Sequence, residues 1–133
     1  MINKKYALHD TEINKVTIHN GGIELHLDNG VYLVDDNGKE MEFSAPCRVS
    51  IVINTFNFAN VWEHITIMKF RKSKVKEIDF DEFLKLLNVN SFDITMEYYS
   101  LFGAAMLFKG YIGKYGIEVA ITEIEKVEYV FDN

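Results

Sequence analysis

A single cysteine, Cys47, leaves this chain unable to close an intramolecular disulfide and agrees with a reducing compartment. Val49, Ile51 and Ile53 share its strand parity, which marks Cys47 as a buried structural thiol rather than a reactive one. No apolar run reaches the length of a membrane span. Lys4 and Lys5 have no apolar stretch behind them, so the N-terminus does not read as a secretory signal and a cytoplasmic protein without membrane contact is expected. The only proline, Pro46, separates two strand-like runs, and no low-complexity tract interrupts the chain.

What is present belongs to an ordinary globular protein. The 133 residues and 15.4 kDa suit one domain, residues 1–133, able to bury a core without staples. Hydrophobic residues make up 48% and charged residues 26%, outside the disordered range.

Three Asn-Gly dipeptides, Asn20-Gly21, Asn29-Gly30 and Asn37-Gly38, lie between short apolar runs. Asn-Gly readily takes positive φ at both positions, as the type I′ turn of a β-hairpin requires. Two-residue loops would pair Ile18 with Ile23 and Val16 with Leu25, then Leu27 with Tyr32 and Leu25 with Val34, then Val34 with Met41 and Tyr32 with Phe43. All three turns choose one apolar face, so a contiguous four-stranded meander is predicted with Val16, Ile18, Leu25, Val34 and Phe43 inward. Val31 and Leu33 fall on the polar side, which implies either a covering segment or a contact surface.

Strand patterns continue at 47–55 and 61–70, joined by a loop carrying Phe56 and Phe58, and later at 92–99, 104–112, 115–122 and 126–131. Gly113-Lys114 as a two-residue loop pairs Lys109 with Glu118, Phe108 with Val119 and Met106 with Ile121. Asp79, with Glu82 three residues on, caps a predicted helix over about 79–88 whose stripe is Phe80, Phe83, Leu84 and Leu87. The fold class is therefore mainly β (α+β): about ten antiparallel strands and one helix, in two packed sheets or a partly open barrel.

Charge is unevenly spread. Lys69, Arg71, Lys72, Lys74 and Lys76 hold five of the fourteen basic residues within eight positions, while the rest of the chain carries all twenty acidic ones. This run reads as a solvated linker before the helix. The surrounding acidity and the absence of a recognition helix or zinc spacing argue against a nucleic-acid partner.

Catalytic constellations are missing from the pattern. His9 and Asp10 are adjacent, which on a strand sends them to opposite faces, and the other histidines converge on no second ligand. Cys47 has no placeable base, and the serines lie in no recognisable nucleophile elbow. A non-enzymatic protein with no cofactor and no metal is expected.

The opening Leu8-His9-Asp10, followed by Ile13, Val16 and Ile18 and a hairpin with Ile23, Leu25 and Leu27, resembles small β-rich bacterial families, among them immunity proteins of polymorphic toxin systems. The late Tyr98-Tyr99, Gly110-Tyr111 and Val127-Glu128-Tyr129-Val130-Phe131 are similar to uncharacterised proteins of low-GC Gram-positive bacteria. The resemblance implies a protein-binding role, with a toxin as partner. Carboxylates and aromatics suited to a cationic partner are Asp28, Asp35, Asp36, Glu40 and Glu42, with Tyr32, Phe56 and Phe58 as anchors. The alternatives are a carrier of small apolar ligands, given ten Phe and seven Tyr, and a homodimer formed through a sheet edge or the Val31 and Leu33 face.

Overall fold

The computed structural model describes residues 6–19, 21–35, 37, 39–53, 61–100 and 104–131. The strands are β1 (Tyr6–Ala7), β2 (Thr11–Ile13), β3 (Lys15–His19), β4 (Gly22–Leu27), β5 (Tyr32–Val34), β6 (Glu40–Phe43) and β7 (Cys47–Ile53). After a 3₁₀ turn, Val61–His64, come β8 (Ile65–Arg71), β9 (Lys74–Ile78), helix α1 (Phe80–Leu87), β10 (Phe92–Tyr99), β11 (Met106–Ile112), β12 (Tyr115–Ile121) and β13 (Ile124–Phe131). The mainly β, antiparallel class with one helix is as expected. The strands are more numerous, however, and fall into three sheets without closing a barrel: β1-β5-β6, β2-β10-β11-β12-β8-β9 and β13-β7-β4-β3.

Where a short turn joins two alternating runs, the expected register holds. β3 and β4 pair Ile18 with Ile23 and Val16 with Leu25. β11 and β12 pair Lys109 with Glu118, Phe108 with Val119 and Met106 with Ile121. In β7 the alternating Cys47, Val49, Ile51 and Ile53 are all buried, as their shared parity predicts.

The four-stranded meander does not form. Gly30 is in a turn with φ 81°, its N–H donating to the Leu27 carbonyl at 3.1 Å, but the chain then crosses to another sheet. β4 pairs with β7 over Gly22 to Leu27, with Leu25 opposite Val49 and Leu27 opposite Cys47. That partner offers six cross-strand pairs, three of them apolar, where the three-residue β5 offers fewer, so the distant strand wins. The crossover is clamped because the Val31 N–H donates to Ser44 Oγ at 3.0 Å and the Ser44 N–H donates back to the Val31 carbonyl at 2.8 Å. Val31 is fully buried and Leu33 is half-buried beside Tyr6 of β1, so the covering segment, not a bare contact surface, accounts for Val31. Val16 and Leu25 point inward as expected, whereas Phe43 is exposed.

The basic run is also not a linker. Lys69 and Arg71 lie on β8, Lys74 and Lys76 on β9, and Lys72 turns between them with φ 55°. Lys69 sits opposite Lys76, a like-charge pair relieved by Glu82 of α1 at 2.5 Å from Lys69 and 3.6 Å from Lys76. The Lys69 hydrogen bond is the main reason the Glu82 carboxyl is held below its ordinary range.

Helix α1 starts where the capping pattern places it: the Asp79 carboxylate accepts from the Glu82 N–H at 2.9 Å, and Asn88 closes the C-terminus. Phe83 and Leu87 are buried, and Phe83 meets Phe92 edge-on at 6.0 Å. Phe92 in turn packs on Phe108 at 5.9 Å, which joins the helix to the six-stranded sheet.

Candidate functional site

The site begins at the turn between β1 and β2, whose backbone is tied down on every side. Leu8 is fully buried and its N–H donates to Glu97 Oε1 at 2.9 Å; the Asp10 N–H donates to the Ile94 carbonyl at 2.7 Å. Thr11 Oγ1 and the Thr11 N–H both donate to the Leu8 carbonyl. The turn closes with Asp10 at φ 62°, the left-handed region that Asp tolerates better than most residues. His9 and Asp10 therefore do not take the opposite faces expected of a strand. His9 Nδ1 lies 3.4 Å from Asp10 Oδ2.

Glu97 is the anchor of this turn, since its other oxygen accepts from the Tyr99 hydroxyl at 2.7 Å. Burial pushes the Tyr99 and Tyr129 hydroxyls well above the usual tyrosine value of 10.0. The folded state thus favours the protonated phenols, so its stability is full below pH 10 and declines as pH rises through and beyond that value, where only the unfolded chain readily ionises. Urea midpoints measured from pH 8 to pH 11.5 should fall at the alkaline end, and Tyr99→Phe should flatten that fall (about pH 10 onward). An alkaline limb of unchanged slope in the variant would remove Tyr99 from the account.

Above the turn stand β5 and β6. Tyr32 pairs with Phe43 as expected, but a one-residue irregularity then sets Val34 opposite Glu40 instead of Met41. The bulge transfers the next place on the Tyr32 face from a methionine to a carboxylate. Glu40 Oε1 consequently lies 2.8 Å from His9 Nδ1, the His9 ring stacks on Tyr32 at 6.3 Å, and Tyr32 stacks on Phe43 at 4.0 Å. Met41 is left 59% exposed and Phe43 46% exposed. β6 is an edge strand of its sheet, so among the described residues its outer backbone groups pair with no other strand there.

His9, Asp10 and Glu40 bring one imidazole nitrogen and two carboxylates within 4.8 Å of one another. This is a donor mix that suits zinc or manganese. The convergence corrects the expectation that no two ligands meet. His9 Nδ1 approaches Glu40 Oε1 to 2.8 Å as an ion-pair contact and shares a longer hydrogen bond of 3.4 Å with Asp10 Oδ2.

Of the residues singled out from the sequence, Tyr32 and Glu40 join this cluster and Glu42 lies exposed on the same strand. Asp35 is occupied locally: its carboxylate accepts from the Asn37 and Lys39 N–H groups, each at 2.9 Å, and closes the hairpin. Asp28 belongs to the turn after β4, its N–H donating to Asn14 Oδ1 at 2.8 Å, and makes no contact with the cluster. Asp36, Phe56 and Phe58 lie outside the described residues. Strand geometry would part His9 from Asp10 and a meander would turn Phe43 inward, but the left-handed turn at Asp10 and the crossover after Gly30 do neither.

No protein-family model matches the chain, and no curated protein or solved structure matches it. Among the described residues no helix is long and apolar enough to cross a membrane.

Proposed function

We propose that this protein acts by binding another protein through the β6 edge, as a non-enzymatic cytoplasmic partner of the immunity type that covers a toxin. The observation that carries the reading is the exposure of Met41 and Phe43 on an edge strand, backed by the Tyr32 stack and rimmed by Asp10, Glu40 and Glu42. An apolar anchor inside a ring of carboxylates complements a cationic, partly apolar surface such as a nuclease active site. The edge adds backbone donors and acceptors for strand addition. A core whose largest side chains, Phe92 and Phe108 among them, are fully buried favours this reading over a carrier with an internal cavity.

The test is capture from the native cell by the wild-type protein and by two variants, followed by association kinetics with the captured partner. Phe43→Ala should speed release by about thirtyfold, the effect of losing a central anchor. Glu40→Lys with Glu42→Lys should instead slow association, most clearly at low salt. Capture of nothing, or of a partner indifferent to both variants, would end the proposal. Sedimentation at two concentrations separates it from homodimer formation through the same edge.

A further inference from the structure

Where the β1–β2 turn meets β6, one imidazole faces two carboxylates at once. His9 Nδ1 lies 2.8 Å from Glu40 Oε1 and 3.4 Å from Asp10 Oδ2. With the imidazole neutral, the two carboxylates leave this group doubly negative, and among the described residues no lysine or arginine forms an ion pair with Asp10 or Glu40. The pair of His26 and Glu24, 3.3 Å apart, is different: the Arg48 guanidinium reaches the same Glu24 oxygen at 3.6 Å and supplies a fixed cation. Among the described residues His9, Asp10 and Glu40 form the one group that gathers three metal-ligating atoms within 4.8 Å of one another.

The frame of this group is set from both sides. Backbone bonds from Leu8 to Glu97, from Asp10 to the Ile94 carbonyl and from Thr11 to the Leu8 carbonyl hold the turn, so His9 and Asp10 leave it in fixed directions. The His9 ring lies against Tyr32 with 21° between the planes, and the register slip after Tyr32 delivers Glu40 from β6. Two donors about 2.0 to 2.2 Å from one tetrahedral zinc ion stand roughly 3.3 to 3.6 Å apart. The His9–Asp10 edge, 3.4 Å, already has that spacing. The His9–Glu40 edge is shorter, and rotation of the Glu40 carboxylate opens it. The Asp10 side chain is 60% exposed and that of Glu40 36%, which leaves an entry path from solvent and room for a water ligand.

The donor types select the ion. One nitrogen beside two carboxylates does not suit calcium, which takes about six to eight oxygens, or magnesium, which keeps an octahedral oxygen shell. A mixed nitrogen and oxygen set binds zinc above manganese and iron, and its tetrahedral spacing is not the square-planar array of copper(II). We infer that His9, Asp10 and Glu40 bind a zinc ion, with water in the fourth position. The ion supplies the positive charge that the two carboxylates lack, and it ties the β1–β2 turn to β6. The site adjoins the β6 edge but does not rest on the protein-binding reading, because the metal alone is its probe.

Zinc chloride titrated against a competing chromophoric chelator tests the inference, with calcium and magnesium chloride as controls. One ion per chain is expected, and neither control should displace it at about tenfold higher concentration. Asn tolerates the left-handed backbone of position 10, so Asp10→Asn removes a charge and keeps the turn; Glu40→Gln likewise keeps the side-chain shape. Each of these, and His9→Gln, should weaken zinc binding by about tenfold or more, since losing a ligand costs at least as much as losing a group that orients one. His26→Gln should leave it unchanged. Zinc should raise the melting temperature of the wild-type protein and not that of His9→Gln. Cobalt(II) in place of zinc should give the visible bands of a tetrahedral site, without the near-ultraviolet thiolate band that ligation by Cys47 would add. Failure to bind one equivalent of zinc overturns the inference, as does a thiolate band or an affinity unmoved by the His9, Asp10 and Glu40 variants. Calcium bound as tightly as zinc also overturns it, by reducing the group to an acidic surface.

Discussion

Gly110→Ala is expected to destabilise the protein by about 3 kcal/mol or more, although it adds one methyl group. A Cβ at Gly110 would fall 1.7 Å from the Asp93 carbonyl oxygen, 2.7 Å from its carbon and 3.0 Å from Ile94 Cα. Those are backbone atoms of the paired strand and cannot swing aside. The position is opposite Ile94, where the register between β10 and β11 shifts before Met96, so the two strands approach closely there. Accommodating alanine means separating two central strands and loosening their ladder. Urea denaturation measures the loss, and a cost below about 1 kcal/mol would show that the ladder relaxes at the bulge with little penalty.

Phe92→Ala should cost about 3 to 5 kcal/mol. The Phe92 ring is fully buried between Phe83 of the helix and Phe108 of the neighbouring strand, and its backbone pairs with both Ile13 and Ile112. Removing it leaves a cavity at the point where helix and sheet meet. A total stability of about 5 to 15 kcal/mol makes either variant marginal. An unchanged denaturant slope with a lowered midpoint would identify the effect as lost packing, whereas a loss under about 2 kcal/mol would mean that the helix settles into the space.

The contrast between the three Asn-Gly turns shows where sequence reading succeeds. Asn20-Gly21 joins runs whose nearest apolar partners are each other, and Ile18 duly faces Ile23. Asn29-Gly30 carries the same turn signal, yet positive φ specifies only that the chain bends and not which strand comes next to it. Around Asn37-Gly38 the Tyr32–Phe43 pair was readable, but the slip that puts Glu40 in place of Met41 was not. That slip builds the candidate site. Likewise β9 is exposed along most of its length, so it shows no apolar alternation, and its strand pairing is visible only with β8 beside it.

Signals among residues a few positions apart were settled by the sequence itself. They include the Asp79 cap, the alternation that buries Cys47 and the register across Gly113-Lys114, because each depends on local dihedral preference or on parity within one strand. Tertiary structure alone decided that β4 takes β7 as neighbour, that Lys69 and Lys76 share Glu82, and that His9, Asp10 and Glu40 meet. These are choices between distant partners, made by the total of cross-strand pairs and buried apolar surface each arrangement offers. No short stretch of chain contains that total, so it is reached only when all three sheets are assembled.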